Sequence, residues 1–282
     1  MLNTIYLLAI ILGISGQNII KKPYTQKTNG SGVYFFNTLL SVAALLFFVV
    51  TSSKLNFNLS YVPYSIAFAV SYAVSSVFTV LAIAYGSLSL GSLFISYSLM
   101  IPTFYGIIIG DPIGKGFIPG IILLIISLFL TNKRNEEAKI SLKWIICVSI
   151  SFVGNGMCAV TQKMQQIASG GAYKNEFMIV ALAIVAVIML TLSILKERTQ
   201  IKFYAKTGWH GALICGLLNG MVNLFVMILS GRMPVSLMFP LISAGGLIVT
   251  YLASRFCYKE KLTTVQFVGF LFGLAAVVFL NF

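Results

Sequence analysis

The chain has 282 residues, 59% of them hydrophobic and 9% charged, with a formal net charge of +13 at pH 7. Soluble domains carry roughly 25% charged residues, so this composition leaves too little polar surface to cover a water-soluble globule. In so apolar a chain the basic excess reports the loops between membrane segments, and it does not point to a nucleic-acid partner.

Apolar stretches of about 20 residues recur along the chain, the length that crosses a hydrocarbon core about 30 Å thick. The predicted spans run from Leu2 to Ile20, Val33 to Thr51, Tyr61 to Tyr85, Leu88 to Gly110 and Phe117 to Asn132. The next five run from Leu142 to Gln162, Phe177 to Leu195, Gly208 to Leu229, Val235 to Cys257 and Thr263 to Phe282. Backbone polar groups cannot be left unpaired in lipid, and these segments are too long and too unalternating for barrel strands. The expected fold class is therefore an all-α integral membrane protein with ten transmembrane helices. Met1 to Thr4 carries no Lys or Arg while Lys21 and Lys22 follow the first run, which reads as an uncleaved first span. Asp111, Pro112 and Gly114 separate the fourth span from the fifth. Cys147, Cys158, Cys215 and Cys257 lie in or at the end of apolar spans without a CxxC pair, which favours buried thiols over a disulfide framework or metal site.

The second half of the chain resembles the first. GDPIGKGFIPGIILLIISLFLTN at 110 to 132 lies over KEKLTTVQFVGFLFGLAAVVFLN at 259 to 281, placing Asp111 on Glu260, Ile113 on Leu262 and Gly120 on Gly269. Gly13 to Lys22 lies over Gly154 to Lys163, and SGVY at 31 to 34 lies over GGAY at 170 to 173. These matches divide the chain into a first repeat at 1–132, a connecting loop at 133–141 and a second repeat at 142–282. With five helices per repeat the second copy enters the membrane inverted, an architecture in which a substrate site lies at the repeat interface and access alternates between the two sides.

Each half ends in an acidic residue, a short polar turn, and a final helix with a Gly nine positions after the acid: Glu260, Lys261, Leu262, Gln266 and Gly269, with Asp111, Pro112, Ile113 and Gly120 as the weaker twin. With ten spans in two repeats, this resembles the drug/metabolite transporter superfamily and within it the EamA-like family. The family's Pro early in the fourth and ninth spans is not matched: Pro102 falls late, and Gly245 and Gly246 stand near the other position. The resemblance implies a multi-pass protein of the plasma (inner) membrane that moves a small-molecule substrate, more commonly outward, through a cavity lined by the first, third, fourth, sixth, eighth and ninth spans. A homodimer is compatible with it.

Fourteen basic residues fall in one set of loops and five in the other, and the positive-inside rule then puts the fourteen in the cytoplasm and both termini outside. The resemblance implies both termini inside. The six acids, Asp111, Glu136, Glu137, Glu176, Glu197 and Glu260, all lie in loops or at span ends. Sites for cations and protons commonly use a carboxylate deep in a helix, so neutral, zwitterionic or anionic cargo such as amino acids is favoured.

Polar side chains within spans either glue helices together or line a cavity. The candidates for substrate contact are Asn18, Tyr72, Tyr97, Asn155, Asn219 and Asn223; the last two are four apart and share a helix face. Gln17, Gln162, Ser75, Ser76 and Ser98 are further polar positions in these spans. Lys22 and Lys163 end the first and sixth spans, either snorkelling to headgroups or gripping an anion from each side. His210, the single histidine, follows Trp209 and suits an interfacial anchor. One histidine and six edge acids assemble no catalytic triad, and neither a phosphate loop nor metal-ligand spacing is present. No enzymatic activity, cofactor or metal is expected. A non-transporting membrane partner or sensor that keeps the fold is the competing reading.

Overall fold

The computed structural model describes residues 2–52, 54–85, 97–131, 142–256 and 263–280. Glu260, Lys261 and Leu262, the acidic motif of the second half, lie outside the described residues, as do Glu136, Glu137 and Cys257.

The described residues are helical and contain no strand. The helices are α1 (Leu2–Lys27), α2 (Val33–Thr51), α3 (Val62–Tyr85), α4 (Met100–Ile108), α5 (Phe117–Thr131), α6 (Leu142–Ala168), α7 (Lys174–Lys196), α8 (Ile201–Ser230), α9 (Val235–Phe256) and α10 (Thr264–Leu280). Six stretches, Leu2–Lys27, Val33–Thr51, Leu59–Thr79, Leu142–Ala168, Lys174–Lys196 and Arg198–Ser230, are long and apolar enough to cross a membrane. Shorter apolar helices cover Tyr97–Ile108, Phe117–Leu130, Val235–Gly246 and Phe267–Leu280. Large aliphatic side chains stand exposed along them, Leu12, Val50, Ile108 and Leu195 among others, which is the pattern of an integral membrane protein whose outer solvent is lipid.

Two helices outlast the apolar runs that announce them. α1 continues past Ile20 to Lys27 and α6 past Gln162 to Ala168. Hydropathy marks where a run meets polar residues; the helix stops where the backbone turns left-handed. Asn29 has φ 50 and Gly170 φ 56, and the following amides close the end in the six-to-one pattern, Gly30 N–H donating to Thr25 O at 2.9 Å and Gly171 N–H to Gln166 O at 2.9 Å. Asp111 N–H donates to Gly106 O at 2.9 Å in the same way after Gly110 at φ 88.

The first two turns agree bond by bond, 141 residues apart. Thr28 N–H donates to Tyr24 O, Ser31 N–H to Thr28 O and Phe36 N–H to Gly32 O; their counterparts are Ser169 to Gln165, Ala172 to Ser169 and Phe177 to Tyr173. The side chains repeat as well: Thr28 Oγ1 donates to Tyr24 O at 2.9 Å and Ser169 Oγ to Gln165 O at 2.8 Å. Gly13 to Lys22 over Gly154 to Lys163 has this same offset. SGVY over GGAY is two residues out of it, because Gly32 and Tyr173, both with positive φ, are the matching positions.

The helices form two compact units, Met1–Ala73 with Thr161–Gly231, and Val74–Val160 with Arg232–Phe282. In the first, α2 packs on α7 and α8, and α1 packs on α8. Tyr24, Phe36, Leu40, Ala212 and Cys215 bury together at the junction of α1, α2 and α8, and Ala69, Ala73, Val185 and Met189 between α3 and α7. Gly216 permits the close crossing of α2 and α8: a Cβ there would come within 2.5 Å of both Ala43 Cβ and Leu40 O. In the second unit α5 packs on α10 and α4 on α9, Leu124, Leu128, Ala244 and Ala276 form a core, and Ala82, Trp144, Cys147 and Val148 join α3 to α6. The motif glycines serve the α5 and α10 contact. A Cβ on Gly120 would meet Leu280, and Gly269 O accepts from Ser127 Oγ at 2.5 Å.

Candidate functional site

In the first unit four amide side chains join into one chain. Asn219 and Asn223 project from the same face of α8, one turn apart, and Asn223 Nδ2 donates to Asn219 O at 2.8 Å and to Asn219 Oδ1 at 2.9 Å. At one end Gln162 Nε2, from α6, donates to Asn223 Oδ1 at 2.7 Å and faces Met178 Sδ of α7 at 3.8 Å. At the other, Asn219 Nδ2 reaches Gln17 Oε1 of α1 at 3.5 Å. Gln17 and Gln162 are buried, and the two asparagines are partly buried. Each carboxamide has two donor hydrogens and an acceptor oxygen, and among the described residues Gln17 Nε2 and Gln162 Oε1 make no bond while remaining accessible. The chain therefore keeps unused donors and acceptors inside a segment where polar groups are costly to leave unpaired. It can hold the polar part of a solute without a fixed charge of its own.

Asn18 lies next to this chain in sequence and is exposed, and its side chain makes no hydrogen bond among the described residues. Tyr72, also in the first unit, donates from Oη to Asn37 Oδ1 at 3.3 Å.

The other candidates belong to the second unit. Asn155 Nδ2 donates to Ser98 Oγ at 2.6 Å and Tyr97 Oη to Ile125 O at 3.2 Å. Close by in sequence, Ser75 Oγ donates to Ser151 O at 3.1 Å and Ser151 Oγ to Ser75 O at 3.2 Å, while the Thr79 and Ser151 hydroxyls lie 2.6 Å apart. These hydroxyls knit α3 to α6 through backbone carbonyls, the role of interhelical glue.

The described acids all serve backbone. Glu197 accepts from Tyr34 N–H at 3.0 Å and Phe35 N–H at 2.7 Å, Glu176 from Asn56 N–H at 2.8 Å and Asp111 from Ser236 N–H at 3.2 Å. Glu197 and Asp111 thereby place negative charge at the amino ends of α2 and α9, where unpaired amides and the helix dipole favour it. Lys163 is equally occupied: its Nζ donates to Ser230 O at 2.6 Å, at the carboxyl end of α8. Trp209 and His210 lie with ring centroids 3.4 Å apart and planes tilted by 30°, exposed near the start of α8. Among the described residues, Cys147, Cys158 and Cys215 are free thiols and no cluster of three or more His, Cys, Asp or Glu occurs.

No family model matches this sequence, and no curated protein does. A solved crystal structure of a protein matches it at a TM-score of 0.80 and 11% identity, over 98% of this chain and 95% of that one. The fold is shared. At that identity the likeness extends to the fold alone, and the chemistry must come from this chain's own residues.

Sequence reasoning singled out both asparagines of the amide chain and named its ends, Gln17 and Gln162, among the polar residues of the spans. Gln17 and Gln162 were visible as polar residues within spans, but nothing in a helical pattern of one segment says that two glutamines 145 positions apart flank the same pair. Asn37, the partner of Tyr72, left no signal beyond being polar in an apolar run.

Proposed function

We propose that this chain is a secondary transporter of small neutral, zwitterionic or anionic metabolites such as amino acids, working by alternating access at the interface of two inverted five-helix repeats. The observation that carries the reading is the amide chain of Gln17, Asn219, Asn223 and Gln162, drawn from three membrane helices and left with unused bonding capacity.

The ten-helix repeat is supported by the matched turns and by the helix pairing, much of which is kept when α1–α5 are exchanged with α6–α10. Contacts of α2 with α7, α4 with α9 and α5 with α10 map onto themselves, and α1 on α8 maps onto α6 against α3. α2 on α8 likewise maps onto α7 against α3. Membership of the EamA-like family, export as the direction and the plasma (inner) membrane as the location rest on the motif resemblance.

The test is uptake of labelled amino acids, sugars and organic anions into proteoliposomes of the purified chain, with and without a pH gradient. Saturable flux of one class, lost in the Asn219→Ala, Asn223→Ala variant, is the expected result. A folded wild-type protein that moves none of them returns the chain to the partner or sensor reading.

A further inference from the structure

Lys21 lies one turn beyond Gln17 on α1, and its ammonium lies within electrostatic reach of Cys215 on α8. The Cys215 thiol itself donates to Gln17 O at 3.7 Å, and Asn219 stands one turn further along α8. The charge thus sits at the Gln17 end of the amide chain.

Three features set it apart from the other lysines. First, it faces protein: Ile5, Leu8 and Leu12 are exposed at 55%, 53% and 59%, and Lys21 is nine residues from Leu12, which at about 100° per residue puts it on the opposite side of α1. Second, it leans inward. Side chains on a helix tilt toward its amino end, so the Lys21 stem is directed back over the turn of Gln17 and Asn18, away from the nearby carboxyl end of α1. Third, it has no counter-charge among the described residues. Among the described residues the Lys21 ammonium makes no hydrogen bond or ion pair, while Glu176 and Glu197, the described acids of its unit, are engaged with backbone amides. A partly buried ammonium without a carboxylate is costly unless something supplies the opposite charge.

We propose that the cargo supplies it: Lys21 is the anchor for a carboxylate, and Gln17 with Asn219 and Asn223 orient the rest of the molecule. A single lysine is a point charge that balances one negative charge, which suits a carboxylate better than a phosphate dianion. The assignment rests on the transporter reading for its physiological meaning and stands on its own as a binding site.

The test uses the purified full-length chain and two readouts. Thermal stabilisation in detergent is scored for the amino acids and short mono- and dicarboxylates, each against its amide, and flux of the same solutes is scored in proteoliposomes. Wild type and Lys21→Arg are expected to be stabilised by a carboxylate and not by its amide, with affinities within a few-fold of each other. Lys21→Gln loses about tenfold or more in affinity, the value of a charge-assisted contact, while melting without ligand at or above the wild-type temperature. Carboxylate binding that survives Lys21→Gln unchanged overturns the anchor, as do equal effects of acid and amide or a wild type that no carboxylate stabilises. Binding without flux upholds the anchor and sinks the transporter, whereas flux indifferent to Lys21 does the reverse.

Discussion

One polar network from the first unit differs in its chemistry from one in the second. In the first, carboxamides bond to carboxamides across α1, α8 and α6 and stop with Gln17 Nε2 and Gln162 Oε1 unused. In the second, Ser75 and Ser151 close on each other's backbone carbonyls, with Thr79 against the Ser151 hydroxyl. A hydroxyl is short and finds its acceptor on the adjacent helix backbone, which locks two helices together. A carboxamide is longer, carries donors and acceptors at once, and can exchange a neighbour for a solute at little cost. Polar content alone does not mark a site; the capacity left over does.

The widest separation between the two regions is expected from Asn219→Ala with Asn223→Ala, which should cut saturable flux per folded molecule about tenfold or more, since two net hydrogen bonds to cargo are removed. A collapse in stability with flux per folded molecule intact would make the amides glue as well. Ser75→Ala with Ser151→Ala should do the opposite, lowering stability by about 1–2 kcal/mol in chemical denaturation and leaving the apparent KM for cargo unchanged.

The matched turns offer a third probe. Gly30→Ala and Gly171→Ala each force a β-carbon into left-handed backbone at φ 76 and 84, and each should cost about 1 kcal/mol. Unequal losses would show that the equivalence of the turns is geometric only. The smallest effect on flux is expected from Glu197→Gln, which keeps an acceptor for only one of the Tyr34 and Phe35 N–H groups, sets a donor NH2 against the other and removes the charge at the start of α2, a stability loss of about 1–3 kcal/mol that flux per folded molecule should not register.

Much of the candidate site was legible because helical spacing is local. Asn219 and Asn223 share a face by their separation of four, and the structure bonds them to each other. Asn18 was picked for the same polarity in an apolar run, yet it stands exposed beside the chain, one position from Gln17, which is the residue that joins it. One step along a helix turns a side chain by about 100°, so choosing between neighbours requires knowing where the other helices lie. Lys163 shows the same limit: read as snorkelling or gripping an anion, it instead ties down the carbonyl of Ser230. Lys21 was passed over because a charge just after an apolar run reads as loop, whereas α1 carries it as helix.

By itself the sequence determined the apolar solvent and the helical class, because the hydropathy of some twenty consecutive residues sums to a free energy that no tertiary contact reverses. It also carried the acidic and glycine motifs, whose described members meet distant parts of the chain: Asp111 accepts from Ser236 N–H, and Gly120 and Gly269 serve the α5 and α10 contact. Only the tertiary structure decided which polar groups are spent and which remain free, since a hydrogen bond between Gln162 and Asn223, or a charge at Lys21 left without a carboxylate among the described residues, is a property of helices brought together from distant parts of the chain.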